Sequence, residues 1–193
     1  MRIFLVRHGE SEANFNKRYS GQTDVKLTPL GIQQAQTVRP ILEGITFDKV
    51  YSSDLSRAYD TQAQALPGYT AERTPLLREI DVGYLAGKSI PGFWAEQGGV
   101  SPTAKTGDYT PYGGENREQQ DARIRKFMDF LETQEGENVA IFAHRGVLLS
   151  FVRNILGADI SSNAIHCDNC AVFVVEYRNQ KWSILSLNYG KKL

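Results

Sequence analysis

Apolar residues follow two rhythms along this chain. Residues 3–6 and 138–143 are short apolar runs of the kind found in strands buried on both faces, and 47–51 reads as a shorter one. Residues 69–77 predict a further strand, which Glu72, Arg73 and Pro75 interrupt and so push toward a sheet edge. Near the end, 170–177 and 182–188 read as two strands joined by a turn at Arg178-Asn179-Gln180-Lys181.

Between these runs the spacing becomes helical. Thr28 is a capping residue and Pro29 suits a first helical position, with Gly31, Ala35, Val38 and Leu42 on one face; Pro40 predicts a kink and Gly44 an end. Cap-forming residues at Ser52-Ser53-Asp54 precede a second helix. Residues 115–135 carry Ile124, Phe127, Met128 and Leu131 at helical spacing, a core face rather than a cofactor box, and a last helix after residue 146 carries Leu148, Phe151, Val152 and Ile155 before Gly157. Strands alternating with helices predict an α/β protein. The expected form is a three-layer α/β/α sandwich with a mostly parallel central sheet and a ligand site at the carboxyl ends of its strands. Residues 83–114 break the rhythm: they are rich in Gly, Pro, Ser and Thr, with Phe93, Trp94, Tyr109 and Tyr112 among them. A connection of that length suggests a lid or substrate-specificity insertion, with a short helix around 93–97.

Composition narrows the classes. With 193 residues, 41% of them hydrophobic, the chain can bury the core of one globular domain spanning 1–193. Its 22 basic and 22 acidic residues cancel, so no global field draws it to nucleic acid or to anionic membranes, and affinity for anions must be local. The first residues enter a strand without the apolar run of a signal peptide, and no later segment is long enough to span a bilayer, so a cytoplasmic location is expected. Cys167 and Cys170 lie too close together for a secreted disulfide framework. With His166 they prompt a zinc check, but no second pair of ligands exists, and structural thiols are the expectation. Oligomeric state, monomer or homodimer, is not readable.

The chemistry collects at strand ends. The first strand stops at Arg7-His8-Gly9-Glu10-Ser11, followed by Asn14, a set suited to an anionic ligand, although a strand running into a solvated polar loop is the plain alternative. Arg57 falls in the first turn of a helix, where the dipole disfavours a cation; it either meets a bound anion there or is an exposed Arg tolerated at small cost, the plainer reading of this residue alone. Glu79 follows the third predicted strand, with Asp81 as a reserve acid, and His144 ends the strand 138–143. Two imidazoles, two guanidiniums and one carboxylate at neighbouring strand ends fit phosphoryl transfer better than acyl or hydride chemistry. No Gly-rich dinucleotide fingerprint, Walker loop or acidic cluster for magnesium accompanies them.

The blocks Arg7-His8-Gly9-Glu10-Ser11, Ser52-Ser53-Asp54-Leu55-Ser56-Arg57-Ala58, Glu79 with Gly83, and Ala143-His144-Arg145-Gly146 resemble, in order, the motifs of the histidine phosphatase superfamily in its phosphoglycerate-mutase-like branch. Leu27-Thr28-Pro29-Leu30-Gly31, Gly113-Gly114-Glu115 and Asn169-Cys170-Ala171-Val172 resemble further family positions. The resemblance implies a metal-independent phosphomonoesterase, needing no cofactor and acting on a small phosphorylated metabolite. His8 would become a phosphohistidine, Arg7, Arg57 and His144 would hold the phosphoryl oxygens, and Glu79 would exchange the proton with the leaving group and then with water. Ser11, Asn14 and donors near Gly21 and Gln22 would add contacts to the phosphate. The chain departs from the family pattern at Tyr84-Leu85-Ala86-Gly87 and at Arg145. If Arg145 enters the pocket it favours a more anionic substrate, whereas a side chain turned to solvent merely begins a helix. The weak fit of a cation to a helix start tips the reading toward solvent, with Arg145 kept as a candidate substrate contact. The alternatives are a 2,3-bisphosphoglycerate-dependent mutase, usually a longer chain, and a phosphate-binding module without catalysis.

Overall fold

The computed structural model describes residues 1–99, 103, 106–158, 160 and 164–190. Its strands β1 (Arg2–Arg7), β2 (Lys49–Ser53), β3 (Glu72–Thr74), β4 (Asn138–Ala143), β5 (Val172–Arg178) and β6 (Lys181–Ser186) form one sheet in the order β3-β2-β4-β1-β5-β6. The four strands from β3 to β1 run parallel, and β5 and β6 close that edge antiparallel. The helices are α1 (Glu12–Phe15), α2 (Pro29–Thr37), α3 (Arg39–Leu42), α4 (Ser56–Ala65), α5 (Ile90–Glu96), α6 (Arg117–Glu132) and α7 (Arg145–Leu156).

Alternation along β1 divides the core. Ile3 and Leu5 point to one face, where Ile124, Phe127 and Leu131 of α6 and Leu148 and Phe151 of α7 cover them. Phe4 and Val6 point to the other, against Ala35 of α2, Leu42 of α3 and Ala65 of α4. The expected mixed α/β fold in three layers is therefore present, and each buried Leu, Ile or Phe contributes about 1.5–3 kcal/mol to it. Helices that follow β1 and β2 lie on one face while α7, following β4, lies on the other. The chain thus diverges at the β1/β4 boundary, the kind of switch point outside which open α/β sheets hold their ligands.

Local chemistry sets the element limits. The Thr28 side chain accepts from the Gly31 N–H, as its position predicted, and Pro40, which cannot donate to a preceding carbonyl, splits the expected kinked helix into α2 and α3. Asn116 and Gln119 form a reciprocal cap that starts α6 at Arg117, two residues later than the spacing suggested. Asn179 and Gln180, both with positive φ (52° and 60°), make the tight turn of the β5–β6 hairpin. The strand expected over 69–77 shrinks to Glu72–Thr74, because Pro75 removes a ladder donor and opens a 3-10 turn at Pro75–Leu77.

Within 83–114, Ser89 caps the Gly92 N–H and Pro91 lies in the first turn, so α5 begins earlier than the helix anticipated around 93–97. Residues 100–102, 104 and 105 of this segment lie outside the described residues. The segment is strapped to the chain near Tyr19: Gly87 N–H donates to Tyr19 O (2.7 Å) and Ile90 N–H to Lys17 O (2.8 Å). Tyr19 packs edge-to-face on Phe93 and Tyr109. Among the described residues no helix is long and apolar enough to cross a membrane.

Candidate active site

Strand register brings the two histidines together. Arg7 pairs with Ala143 across β1 and β4, and the His8 N–H donates to Ala143 O at 3.0 Å, so the residues that follow each strand emerge side by side. The His8 and His144 rings stand 5.1 Å apart between centroids, edge to face. Arg57 arrives from the next strand, in the first turn of α4, and Glu79 from beyond β3.

Each side chain is held from behind. His8 Nδ1 lies 2.6 Å from Gly9 O; a carbonyl only accepts, so Nδ1 carries the proton and Nε2 keeps its lone pair. Gly9 is required for packing, since a Cβ there would lie 2.3 Å from Gly31 O at the start of α2. Its N–H donates to Thr61 Oγ1 (3.0 Å), and Asn169 Nδ2 donates to His8 O (3.0 Å), which fixes the turn after β1. Arg7 Nη1 donates to Cys167 O (2.6 Å), while Arg57 donates through Nη1 to Thr23 O (2.9 Å) and through Nη2 to Gly21 O (2.8 Å).

Around the two histidines, what remains unpaired is cationic or able to donate. Among the described residues, Arg7 Nε, Arg57 Nε and both ring nitrogens of His144 are buried without a hydrogen-bond partner. Native structures seldom leave such groups unsatisfied, because each costs about 1–3 kcal/mol. Burial pushes both imidazoles well below the usual histidine range, and the Arg57 and Arg7 guanidiniums push them further, with His8 adding to the effect on His144. Burial also lowers Arg7, and brings Arg57 down to about 10, still protonated at neutral pH. The N-terminus of α7, which follows His144, adds its dipole. Two neutral imidazoles between two guanidiniums beside a helix start make a place for a tetrahedral anion.

Glu79 borders that place. Its Oε1 accepts from its neighbour's N–H at Ile80 (2.9 Å) and from Gln120 Nε2 (3.3 Å), and its Oε2 from the Gly146 N–H (3.2 Å). A Cβ on Gly146 would sit 2.1 Å from Glu79 Oε1, so a side chain there would have to push this carboxylate aside. Gln120 is absent from the residues the sequence singles out, and Gly146 is present there only as the end of the Ala143-His144-Arg145-Gly146 block, with no role of its own. The signal for Gln120 was present: it occupies the apolar face of α6, four residues before Ile124, where a polar side chain needs a partner.

Other expected contacts are reassigned. The Ser11 hydroxyl donates to Asn14 Oδ1 (3.0 Å) and accepts from the Asn14 N–H, so it caps α1 instead of meeting the anion. Asn14 Oδ1 also accepts from Asn169 Nδ2 (3.3 Å), which leaves Nδ2 of Asn14 as the donor it can offer. Gly21 joins the site's frame through its carbonyl on Arg57, not as a donor, while Gln22 lies partly exposed in the same turn. Asp81 accepts from the Gly83 N–H (2.9 Å) and starts a 3-10 turn. Arg145, read as leaning to solvent, instead lines a cavity of about 380 Å³ with Glu79, Gly146, Tyr19, Trp94 and Tyr109, where an anion can offset the cost of a cation at a helix start. Cys167 is buried, with its thiol pushed up by burial to about 11, and among the described residues no three His, Cys, Asp or Glu side chains gather as metal ligands.

The fold and these motifs define a class. The sequence model of the histidine phosphatase superfamily (branch 1) matches residues 3–190, and the chain belongs to that superfamily. It is a phosphatase of the phosphoglycerate-mutase-like kind. Adenosylcobalamin/alpha-ribazole phosphatase of Escherichia coli K12 is 31% identical over 163 residues, 81% of this chain and 80% of that protein. A probable phosphoglycerate mutase of Enterobacter sp. is 29% identical over 189 residues, 94% of this chain and 87% of that one. Among solved structures, mycobacterial glucosyl-3-phosphoglycerate phosphatase complexed with VO3 superposes with a TM-score of 0.86 at 26% identity, covering 98% of this chain and 99% of that one.

Proposed function

We propose that this phosphatase hydrolyses a small phosphomonoester through a phosphohistidine on His8. The observation that carries the reading is the set of buried, unpartnered nitrogens on Arg7, Arg57 and His144 around a histidine whose Nδ1 proton is committed to Gly9 O. In the first step His8 Nε2 donates its lone pair to phosphorus, the P–O bond to the leaving group breaks, and Glu79 delivers a proton to that oxygen. In the second, water attacks phosphorus, Glu79 takes its proton, the P–N bond breaks and inorganic phosphate leaves. Arg7 and Arg57 supply positive charge to the equatorial oxygens throughout and neutral His144 a hydrogen bond, so the step needs no metal or cofactor. The leaving group would occupy the cavity beside Glu79, with Arg145, Trp94 and Tyr109 on its wall and residues 83–114 choosing among substrates. Hydrolysis of p-nitrophenyl phosphate in excess EDTA, abolished in His8→Ala, is the expected result; phosphate binding without turnover would make the protein a sensor instead.

The Enterobacter relative carries a mutase name, so one further assay is informative. Interconversion of 2- and 3-phosphoglycerate that depends on 2,3-bisphosphoglycerate would establish a mutase; release of free phosphate alone supports hydrolysis.

A further inference from the structure

We infer that Glu115 and Arg123, outside the anion site, form a clasp that positions the Glu79 carboxyl; this rests on the reading of Glu79 as the proton donor. Glu79 lies beyond the 3-10 turn Pro75–Leu77, on a stretch that belongs to no strand or helix. One side chain gathers that stretch. Arg123 donates through Nη1 to Leu76 O (2.8 Å) and Arg78 O (2.9 Å), and through Nη2 to Glu79 O (3.3 Å).

The other edge of the same guanidinium grips Glu115, with Nε to Oε1 at 3.0 Å and Nη2 to Oε2 at 2.8 Å. Glu115 then fastens the far side of the acid: its Oε2 accepts from the Asp81 N–H (3.0 Å) and its own N–H donates to Asp81 O (2.9 Å). The backbone is thus fixed from Leu76 to Asp81 on both sides of Glu79. Glycines permit the approach, because a Cβ on Gly114 would lie 2.3 Å from Asp81 O and one on Gly83 would lie 1.9 Å from Tyr112 O. The Gly113-Gly114-Glu115 stretch, which offers nothing to the anion, has its physical use here.

The charges of Arg123 and Glu115 are spent on each other in a bidentate pair, so the clasp acts through geometry rather than by adding charge at phosphorus. A fork with donors on two edges is needed, and a lysine cannot reproduce it. Misplacing a proton donor by an ångström can cost about a hundredfold in rate, whereas a purely structural tie would affect all substrates alike. An ester whose leaving group departs without a proton, such as p-nitrophenyl phosphate, should be insensitive to the clasp in kcat/KM, which reports steps only up to leaving-group departure and so omits the later attack of water in which Glu79 also acts.

The test compares glycerol 2-phosphate with p-nitrophenyl phosphate in Arg123→Gln, Arg123→Lys and Glu115→Gln, each alone and combined with Glu79→Gln. The expected result is a fall in kcat/KM on the alkyl ester of roughly 10- to 100-fold with that on the aryl ester within a few-fold, and no further fall when any of the three changes is added to Glu79→Gln. Equal losses on both esters, or losses that add to that of Glu79→Gln, would overturn the clasp while leaving the acid in place. If Glu79→Gln itself fails to discriminate the esters, the acid assignment fails and the clasp goes with it. Should Arg123→Gln not fold, Glu115→Gln, which keeps the shape and loses the charge, decides the matter.

Discussion

The rings of His8 and His144 meet edge to face at 62°, 5.1 Å between centroids, because the parallel strands that deliver them pair in register up to Arg7 and Ala143. Two imidazoles this close could not both be protonated cheaply, and burial with the Arg57 and Arg7 charges keeps both neutral. A pH dependence of stability follows. The unfolded chain takes up protons on these histidines near pH 6.5, and the folded chain does so only well below it. Unfolding therefore binds protons in that interval, and stability rises with pH there and is lost as pH falls. The slope should approach about 1.4 kcal/mol per pH unit for each imidazole and vanish above about pH 7.5. Thermal unfolding of the wild type and of His144→Asn between pH 5 and 8 measures it: the variant should lose about half of the slope, and an unchanged slope would show that His144 is not held neutral.

At Gly146 the bare backbone lets Glu79 approach, since a Cβ there would lie 2.1 Å from its Oε1 and force the carboxylate to move. Gly146→Ala should displace the carboxylate and cost kcat on alkyl phosphates roughly 10- to 100-fold. Its Kd for inorganic phosphate should change little by comparison. Steady-state kinetics on an alkyl and an aryl ester, with phosphate as competitive inhibitor, separate the two effects.

Arg57 serves two masters. Its Nη groups tie Thr23 O and Gly21 O, and Nε is left for the anion, so Arg57→Lys cannot satisfy both. Loss of a hydrogen bond to a charged group, worth about 1.5–3 kcal/mol, predicts roughly 10- to 100-fold weaker inhibition by orthovanadate. Arg39→Lys, on the surface of α3, is a suitable control.

The layers of the fold were legible because apolar runs and helical spacing each have one physical reading at this length, and the convergence of Arg7, His8, Arg57, Glu79 and His144 followed from their places after strands. Ser11 is ambiguous in the sequence because a hydroxyl after an Arg-His pair is compatible with an anion and with a helix cap, and only the fold shows its capping partner Asn14. The short β3 was over-extended across Pro75. Arg145 could not be placed, since its direction depends on a cavity formed by segments distant in sequence. The contributions of Arg123 and Gly146 depend on tertiary approach to Glu79, which no local pattern announces, and the polar Gln120 on an apolar helix face announces a partner without saying which.

The central claim is that phosphorus passes through His8. Acid-labile, alkali-stable phosphate should be trapped on the protein when a substrate is mixed and quenched within one turnover, and peptide mapping should place it on His8. Glu79→Gln should slow its breakdown, and His8→Ala should abolish it. A phosphoenzyme that survives in His8→Ala, or turnover at the wild-type rate with no covalent phosphate at any quench time, would contradict the account.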